Sequence, residues 1–169
     1  DETMVEITLA ENKDFEFFYQ IKCNEDNMYW AGHKAKPEYE NLMMFFSKII
    51  SKQNDPQERK IYIIWSENQR CGYLYFDPID LVTACVSIAV IDNQSGKGNG
   101  KASLRKMLRV ALERGYKKII AEIREDNTRS KRLFESVGFT EDNNSRVAKI
   151  ENLDREINMI QYSINLSEG

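Results

Sequence analysis

Residues 81–91 form an almost uninterrupted apolar run, which a glycine-rich segment and an amphipathic stretch follow directly. Such a run predicts a strand that is buried on both faces near the centre of a sheet. Glycines recur in residues 95–100, and apolar residues recur at helical spacing in residues 101–114. A strand, a glycine loop and a helix in this order favour a phosphate-binding site, because unpaired N–H groups at a helix N-terminus attract anions.

Hydrophobic periodicity predicts the other elements. Strands are expected at residues 4–9, 60–65, 71–76, 118–123 and 157–165, and a return strand begins at Phe139. Helices are expected at residues 13–22, 38–51 and 128–136, whereas residues 23–37 are expected to form a loop or broken helix and residues 143–156 a loop. This order predicts an α+β fold in a single domain, residues 1–169, with a mixed, mostly antiparallel sheet of about seven strands and about four flanking helices.

Composition narrows the class of protein. The chain has 169 residues, of which 41% are hydrophobic and 30% are charged, as in ordinary globular domains. It has no apolar stretch long enough to span a membrane and no opening signal segment, so we expect a cytoplasmic protein that binds no membrane. The three cysteines lack metal-binding spacing and there is one histidine, which argues against a disulfide framework or a metal centre.

Positive charge is concentrated in one part of the chain. Residues 97–132 contain 12 basic and four acidic residues, a net charge of +8, whereas the rest of the chain carries −11. The overall charge of −3 argues against bulk nucleic-acid binding. A localised positive segment in an acidic chain favours a small, multiply charged anionic ligand. A solvated helix face is the alternative interpretation.

Two familiar phosphate-binding motifs fail on the glycine segment. The pattern GxxxxGK[ST] would need glycine at Ser95 and a hydroxyl residue at Ala102, and GxGxxG would need glycine at Lys101. Nucleotide hydrolysis and dinucleotide binding are therefore disfavoured. The spacing of Gly96, Gly98 and Gly100 is by itself also compatible with a flexible turn.

A second segment, residues 121–139 (AEIREDNTRSKRLFESVGF), gives the glycine loop a context. Together with residues 87–102, it resembles the two motifs of the GNAT family of acyl-CoA N-acyltransferases: an apolar strand followed by Q/RxxGxG/A and a helix, and a strand followed by NxxSxxLFExxGF. The motifs span about a third of the chain, and the order of elements fits the family throughout. The resemblance implies a GNAT fold, acetyl-CoA as co-substrate and acetyl transfer to a primary amine.

The resemblance also assigns cofactor-binding residues. The pantetheine arm is expected to bind the backbone of a splayed strand at Ile88, Ala89 and Val90. The pyrophosphate is expected to bind backbone N–H groups of Ser95, Gly96, Lys97, Gly98, Asn99, Gly100, Lys101 and Ala102. The pantetheine or thiol end is expected near Asn127 and Ser130. Further phosphate contacts are expected from Lys97, Lys101, Arg129 and Arg132, with solvated side chains as the alternative.

Glu122 is the candidate catalytic base, five residues before Asn127 in the strand next to the cofactor strand. Ribosomal-protein N-terminal acetyltransferases carry a similar glutamate in this place. A partly buried carboxylate has a raised pKa, which suits a group that must remove a proton from an amine. The alternative is a structural ion pair between Glu122 and a neighbouring arginine or lysine.

Two residues depart from the family pattern. Ser95 stands where the first motif has arginine or glutamine, which removes one side chain from the phosphate site. Phe134 stands where many members have a tyrosine that protonates the leaving thiolate. Either the thiolate leaves unassisted, or the proton comes from Tyr73, Tyr75, Ser130 or water. A protein that binds CoA without catalysis is a further alternative.

The acceptor is the least constrained part of the prediction. Candidates to line its pocket are Tyr29, Trp30, His33, Tyr73, Tyr75, Asp77 and Asp80. The second segment resembles acetyltransferases of bacterial amino-sugar pathways and of ribosomal proteins. A small-molecule amine, with an amino sugar as one example, is the preferred acceptor, and a protein N-terminus is the alternative. A monomer and a homodimer both fit the sequence.

Overall fold

The computed structural model describes residues 4–91 and 98–167. Within them, the strands are β1 (Val5–Leu9), β2 (Lys60–Ser66), β3 (Gln69–Pro78), β4 (Thr83–Val90), β5 (Lys118–Arg124), β6 (Thr140–Ile150) and β7 (Arg155–Asn165). The described α-helices are α1 (Phe15–Lys22), α2 (Glu25–Ala31), α3 (Tyr39–Lys52), α4 (Asn99–Glu113) and α5 (Thr128–Ser136). A short 3₁₀ turn, Asn12–Asp14, precedes α1.

The strands form one seven-stranded sheet in the order β1-β2-β3-β4-β5-β7-β6. The pair β4–β5 is parallel, and the other neighbouring pairs are antiparallel. The helix α4 connects the two parallel strands, since a parallel pair needs a crossover connection. The predicted fold class, a mixed and mostly antiparallel α+β sheet of the GNAT type, is confirmed. The described residues contain five α-helices where about four were expected.

Side chains alternate across the sheet and divide the core into two layers. On one face, Leu74 and Phe76 of β3 pack with α4 and α5 through residues such as Met107 and Phe134. On the other face, Tyr73 packs with α1 and α3. The period of two along a strand explains why neighbouring residues of β3 belong to different layers. Both faces of the central sheet are covered.

Residues 23–37, which were expected to form a loop or broken helix, contain the short helix α2. Asn24 begins this helix, since its side chain accepts the N–H of Asn27 at 3.1 Å. Gly32 ends it with a φ of +84°, a left-handed conformation that glycine adopts at little cost. No residue of α2 is fully buried, so the helix carries no apolar stripe that periodicity would reveal.

The prediction of a loop at residues 143–156 was wrong. Most of this segment belongs to β6, which forms a long hairpin with β7. As an edge strand, β6 is exposed along most of its length, and only Ile150 is buried. Backbone pairing holds it, so its sequence does not show the apolar–polar alternation of a half-buried strand.

The central feature of the sheet is the divergence of β4 from β5. The parallel pairing covers only Thr83–Cys85 against Lys118–Ile120, whereas β4 pairs with β3 from Ala84 to Val90. A gap therefore opens between β4 and β5 towards the start of α4. This divergence agrees with the splayed strand expected from the resemblance. Of the described helices, none is long and apolar enough to cross a membrane.

Candidate active site

Two adjoining pockets fill the gap between β4 and β5. The helix-end pocket, about 220 Å³, includes Val90, Gly98, Gly100, Lys101 and Arg129 in its lining. The strand pocket, about 250 Å³, includes Lys22, Tyr73, Tyr75, Glu122 and Phe134 in its lining. Both are lined by Asn27, Trp30, Ile88, Ala89, Asn127 and Ser130. The shared lining makes them one continuous cleft.

On the side that faces β5, the described backbone of β4 has no strand partner beyond Cys85. The N–H of Ile91 donates to the carbonyl of Cys71, and a Cβ on Gly72 would collide with the carbonyl oxygen of Ala89. Backbone groups alternate in direction along a strand, so Ile88 and Val90 point theirs at the gap. Of the three predicted residues, Ile88 and Val90 therefore present backbone groups to the gap, whereas the backbone groups of Ala89 face β3.

The N-terminus of α4 opens onto the helix-end pocket. Gly98 precedes the helix with a φ of +76°, where a larger residue would be strained. A Cβ on Gly100 would lie 3.3 Å from Leu133 Cδ2, so glycine permits the close approach of α4 to α5. The first-turn N–H groups of Gly100 and Lys101 have no acceptor within the helix, and the helix dipole adds positive potential there.

The predicted phosphate-binding segment is only partly within this pocket. Ser95, Gly96 and Lys97 lie outside the described residues. Asn99 is buried and does not line the pocket. Ala102 was wrongly included as a donor, since it is buried and its N–H donates to the carbonyl of Gly98 at 3.0 Å.

Two of the predicted cationic contacts lie beside the helix N-terminus. Lys101 and Arg129 line the helix-end pocket, and Arg129 Nη2 lies 3.4 Å from Asp26 Oδ2. Arg132 is exposed on α5 and lines neither pocket. The positive charge that the sequence concentrates here therefore reaches the cleft through Lys101 and Arg129.

Asn127 and Ser130 lie together at the start of α5. Asn127 caps that helix, since its Oδ1 accepts the N–H of Ser130 at 3.1 Å. Both residues line both pockets. The cap fixes the side chain of Asn127 where the two pockets meet.

Glu122 lines the strand pocket and pairs with an arginine there. Its side chain is 36% exposed, and both oxygens accept hydrogen bonds of 2.8 Å from Nε and Nη2 of Arg146. The hydrogen bonds from the guanidinium to Glu122 hold the pKa of Arg146 above its usual value. The ion pair that was the alternative interpretation of Glu122 is thus present.

The hydroxyl groups available to the leaving thiolate differ in their suitability. Burial raises the pKa of both Tyr73 and Tyr75 strongly, which makes their phenols weak proton donors. Phe134 is buried in the strand pocket, with its ring edge-on to Phe139 at 5.0 Å between centroids. Ser130 lines both pockets and carries a hydroxyl group.

Of the seven residues predicted to line the acceptor pocket, the structure places some in the strand pocket and others away from it. Trp30, Tyr73 and Tyr75 line the strand pocket. Tyr29 packs edge-on against Trp30, and its carbonyl accepts a hydrogen bond from Arg124. The remaining three lie elsewhere: His33 is exposed, Asp77 pairs with Arg59, and Asp80 accepts N–H groups in a turn.

Sequence reasoning missed Lys22, which lines the strand pocket from α1. Its ammonium lies about 5 Å from three aromatic centroids, at 5.3 Å from Phe18, 5.2 Å from Tyr73 and 4.9 Å from Tyr75. A signal was available, because Lys22 follows Phe15 and Phe18 at spacings of seven and four on the apolar stripe of the helix. A lysine on such a stripe faces the interior.

An unpaired strand edge that meets a cationic helix N-terminus suits an extended ligand that carries phosphate groups at one end. The described residues contain no group of three or more metal-ligating side chains placed to bind a metal. The model of the acetyltransferase (GNAT) family matches residues 10–139. The chain therefore belongs to the GNAT family, and it is an acetyl-CoA-dependent N-acetyltransferase.

Solved structures have the same fold at low sequence identity. Spermidine N-acetyltransferase from Vibrio cholerae, in complex with CoA and spermine, has a TM-score of 0.83 and 16% identity over 96% of each chain. Ribosomal-protein-alanine N-acetyltransferase from Brucella melitensis has a TM-score of 0.77 and 21% identity, over 95% of this chain and 99% of that one. A proposed phosphinothricin N-acetyltransferase has a TM-score of 0.76 and 24% identity, over 97% of this chain and 99% of that one. No curated protein sequence matches the chain.

Proposed function

We propose that the protein transfers an acetyl group from acetyl-CoA to the primary amine of a small molecule by direct attack. The observation that carries this proposal is the lining of the strand pocket by residues of seven elements. These elements are α1, α2, β3, β4, β5, α5 and β7, and the pocket's volume of about 250 Å³ lies just below the roughly 300–1,000 Å³ of small-molecule sites, which favours a small acceptor. An open groove for a peptide would lack the cover that Trp30 of α2 provides.

The donor is placed with its pyrophosphate at the N-terminus of α4 and its pantetheine arm in the gap. N–H groups of Gly100 and Lys101 and the cations of Lys101 and Arg129 support the first part. The cleft-facing backbone of Ile88 and Val90 supports the second. Asn127 and Ser130 then lie near the thioester. Ser95, Gly96 and Lys97 are retained as proposed phosphate contacts.

In the proposed reaction, the amine nitrogen attacks the thioester carbonyl, a C–N bond forms and the C–S bond breaks. A cleft-facing N–H of β4 stabilises the oxyanion that develops on the carbonyl oxygen. Glu122 accepts the proton that the amine loses, directly or through water, and Arg146 fixes its carboxylate. The products are an amide and the thiolate of CoA.

The thiolate takes up its proton without a tyrosine at position 134. Ser130 and water are the proposed donors, because burial makes Tyr73 and Tyr75 poor acids. A thiolate is a fairly good leaving group, so this proton transfer need not precede bond breaking. The absence of the tyrosine is the feature that favours the alternative of a CoA-binding protein without catalysis.

Two kinds of acceptor are proposed. An amino sugar is one small-molecule possibility, and a ribosomal-protein N-terminus is the second candidate, supported by the resemblance of residues 121–139 and of Glu122. We propose a cytoplasmic location, with which the free thiols of Cys23, Cys71 and Cys85 agree. Both a monomer and a homodimer remain compatible with the fold.

The test is the release of free CoA from acetyl-CoA in the presence of amines, amino sugars and N-terminal peptides. We expect turnover of small amines and little turnover of peptides. Glu122→Gln is expected to lower kcat by roughly 100-fold, while the matched control Glu125→Gln, at an exposed residue outside the cleft, leaves it unchanged. Tight acetyl-CoA binding with no turnover of any amine would favour the non-catalytic alternative.

A further inference from the structure

Lys22 is a cation inside the catalytic cleft that the proposed reaction does not use. It extends from the end of α1 into the strand pocket, opposite β4 and β5. Its ammonium lies over the rings of Tyr73 and Tyr75, and the guanidinium carbon of Arg59 also lies 4.9 Å from the Tyr75 centroid. Two cations thus share one aromatic ring at the edge of the pocket.

No described residue supplies a counter-ion to Lys22. The nearby acidic side chains are already engaged, since Asp77 pairs with Arg59 and Glu122 with Arg146. Aromatic faces attract a cation more weakly than a carboxylate does at the same depth. Burial and the charge of Arg59 lower the pKa of Lys22 to about 8, and no acidic group opposes that shift. The acceptor side of the cleft therefore has an excess of positive charge.

The acetyl donor does not provide the missing anion. Its phosphate groups belong in the proposed function to the N-terminus of α4, in the helix-end pocket, which Lys22 does not line. The part of the donor that reaches the strand pocket is the uncharged pantetheine arm and the thioester. The anion that Lys22 can bind must come with the second substrate.

We propose that the acceptor is an amine that also carries an acidic group, a carboxylate or a phosphoryl group, and that Lys22 binds this group. The inference rests on the proposed function, whose acceptor it narrows. A charge-assisted hydrogen bond from the ammonium would orient the acceptor with its amine towards the thioester and Glu122. Polyamines are excluded, because their further ammonium groups would lie close to Lys22 and Arg59 without an acidic partner.

The test compares amines that differ only in the acidic group. The pairs are leucine with 3-methylbutylamine, phenylalanine with 2-phenylethylamine, 2-aminoethylphosphonate with propylamine, and glucosamine 6-phosphate with glucosamine; spermidine is added. We expect the acidic member of at least one pair to have a kcat/KM at least about 10-fold above that of its partner, mainly through KM. The pair that shows the preference distinguishes a carboxylate from a phosphoryl group.

Variants of Lys22 assign the preference to this residue. Lys22→Met and Lys22→Gln are expected to reduce the ratio within the pair to near one, and Lys22→Arg to retain most of it. Lys48→Met, at an exposed lysine of α3 outside the cleft, is the matched control and keeps the ratio. Far-UV circular dichroism and unchanged affinity for acetyl-CoA identify the variants that remain folded.

Each contrary outcome has a separate meaning. Equal or better turnover of the uncharged partners or of spermidine overturns this inference and leaves the proposed function intact. A preference that survives both Lys22→Met and Lys22→Gln removes Lys22 from the role. Failure to turn over any member of the panel, although acetyl-CoA binds, contradicts the proposed function and this inference with it.

Discussion

Arg146 of β6 reaches across β7 to Glu122 of β5, and two hydrogen bonds of 2.8 Å join the guanidinium to the carboxylate. The pair links the outer hairpin of the sheet to the candidate base. Because both oxygens are bound, the carboxylate has one orientation at the wall of the strand pocket. The same arginine that competes for the carboxylate therefore also positions it.

Removing Arg146 tests this positioning. We expect Arg146→Met to lower kcat by about 3- to 10-fold with little change in the KM for acetyl-CoA, because the carboxylate loses its orientation but not its place. The pair is exposed, so stability changes by about 1 kcal/mol or less. Steady-state kinetics measures the effect, with Lys149→Met on the same strand as control. An unaltered kcat would show that the ion pair has no part in catalysis.

Lys22 gives a prediction about stability and pH. The folded-state pKa of about 8 lies below the ordinary value of 10.5, so between these values the unfolded chain binds a proton that the folded chain does not. Stability from this group therefore rises with pH across that window, and the cost of burying the cation is complete below pH 8. We expect Lys22→Met to stabilise the protein at pH 7 by about 1 kcal/mol or more.

The stabilisation by Lys22→Met is expected to shrink as the pH rises from 8 towards 10.5. Urea unfolding of both proteins at pH 7 and at pH 10 measures it. The comparison cancels the titration of the other groups that face Lys22, namely Arg59, Tyr73, Tyr75 and Glu122. A gain that stays constant, or a loss of stability at pH 7, would mean that the aromatic rings stabilise the cation more than its burial costs.

Arg124 connects α2 to the cleft. Only 3% of its side chain is exposed, it binds both oxygens of Asp126 at 3.1 and 3.0 Å, and it donates to the carbonyl of Tyr29 at 2.9 Å. We expect Arg124→Met to cost roughly 2–4 kcal/mol and to accelerate amide hydrogen exchange in α2. Arg132→Met, at an exposed arginine of α5, should change neither. Unchanged exchange in α2 would contradict this connection.

Gly72 and Gly98 separate two reasons for glycine. A side chain at Gly72 would collide with the carbonyl oxygen of Ala89 on β4, whereas at Gly98 the space is open but φ is +76°. We expect Gly72→Ala to destabilise the protein by more than about 2 kcal/mol and Gly98→Ala by about 1 kcal/mol. Chemical denaturation measures both. Equal losses would contradict the close approach of β3 to β4 that the structure describes.

Lys101 tests the phosphate site by its charge. We expect Lys101→Met to raise the Kd for CoA by about 5- to 10-fold and to reduce the salt dependence of binding, because one cation near the phosphates is lost. Lys106→Met removes a charge from a different face of α4, beside Glu113, and serves as the control. Equal effects of the two variants would indicate that Lys101 acts through the overall electrostatic potential of the protein and not through a contact with the phosphates.

The sequence predicted the central part of the fold because its signals are local. An apolar run, glycines and 3.6-residue periodicity lie next to one another in β4 and α4. The observed starts of these two elements differ from the predicted starts by two residues. For example, β4 begins at Thr83 rather than residue 81, since Leu81 is exposed in the preceding turn. Such shifts are ordinary at the ends of elements.

The parts of the site that were missed depend on contacts between distant segments. The partner of Glu122 is 24 residues away in β6, in a segment whose polar sequence predicts a loop. No local pattern predicts that side chains on two strands separated by a third will form an ion pair. Lys22 could have been found from its place on an apolar stripe. The absence of a counter-ion around it depends on the packing of α1 against β3, which no local sequence pattern reveals.

The most direct test of the account is a calorimetric titration of the protein with CoA and acetyl-CoA at moderate salt. The arrangement of β4 and α4 predicts saturable binding of one molecule per chain, weakened by Lys101→Met and by rising salt. Absence of binding heat for either compound at several temperatures, with the protein shown to be folded, would contradict the assignment of the cleft to the acetyl donor.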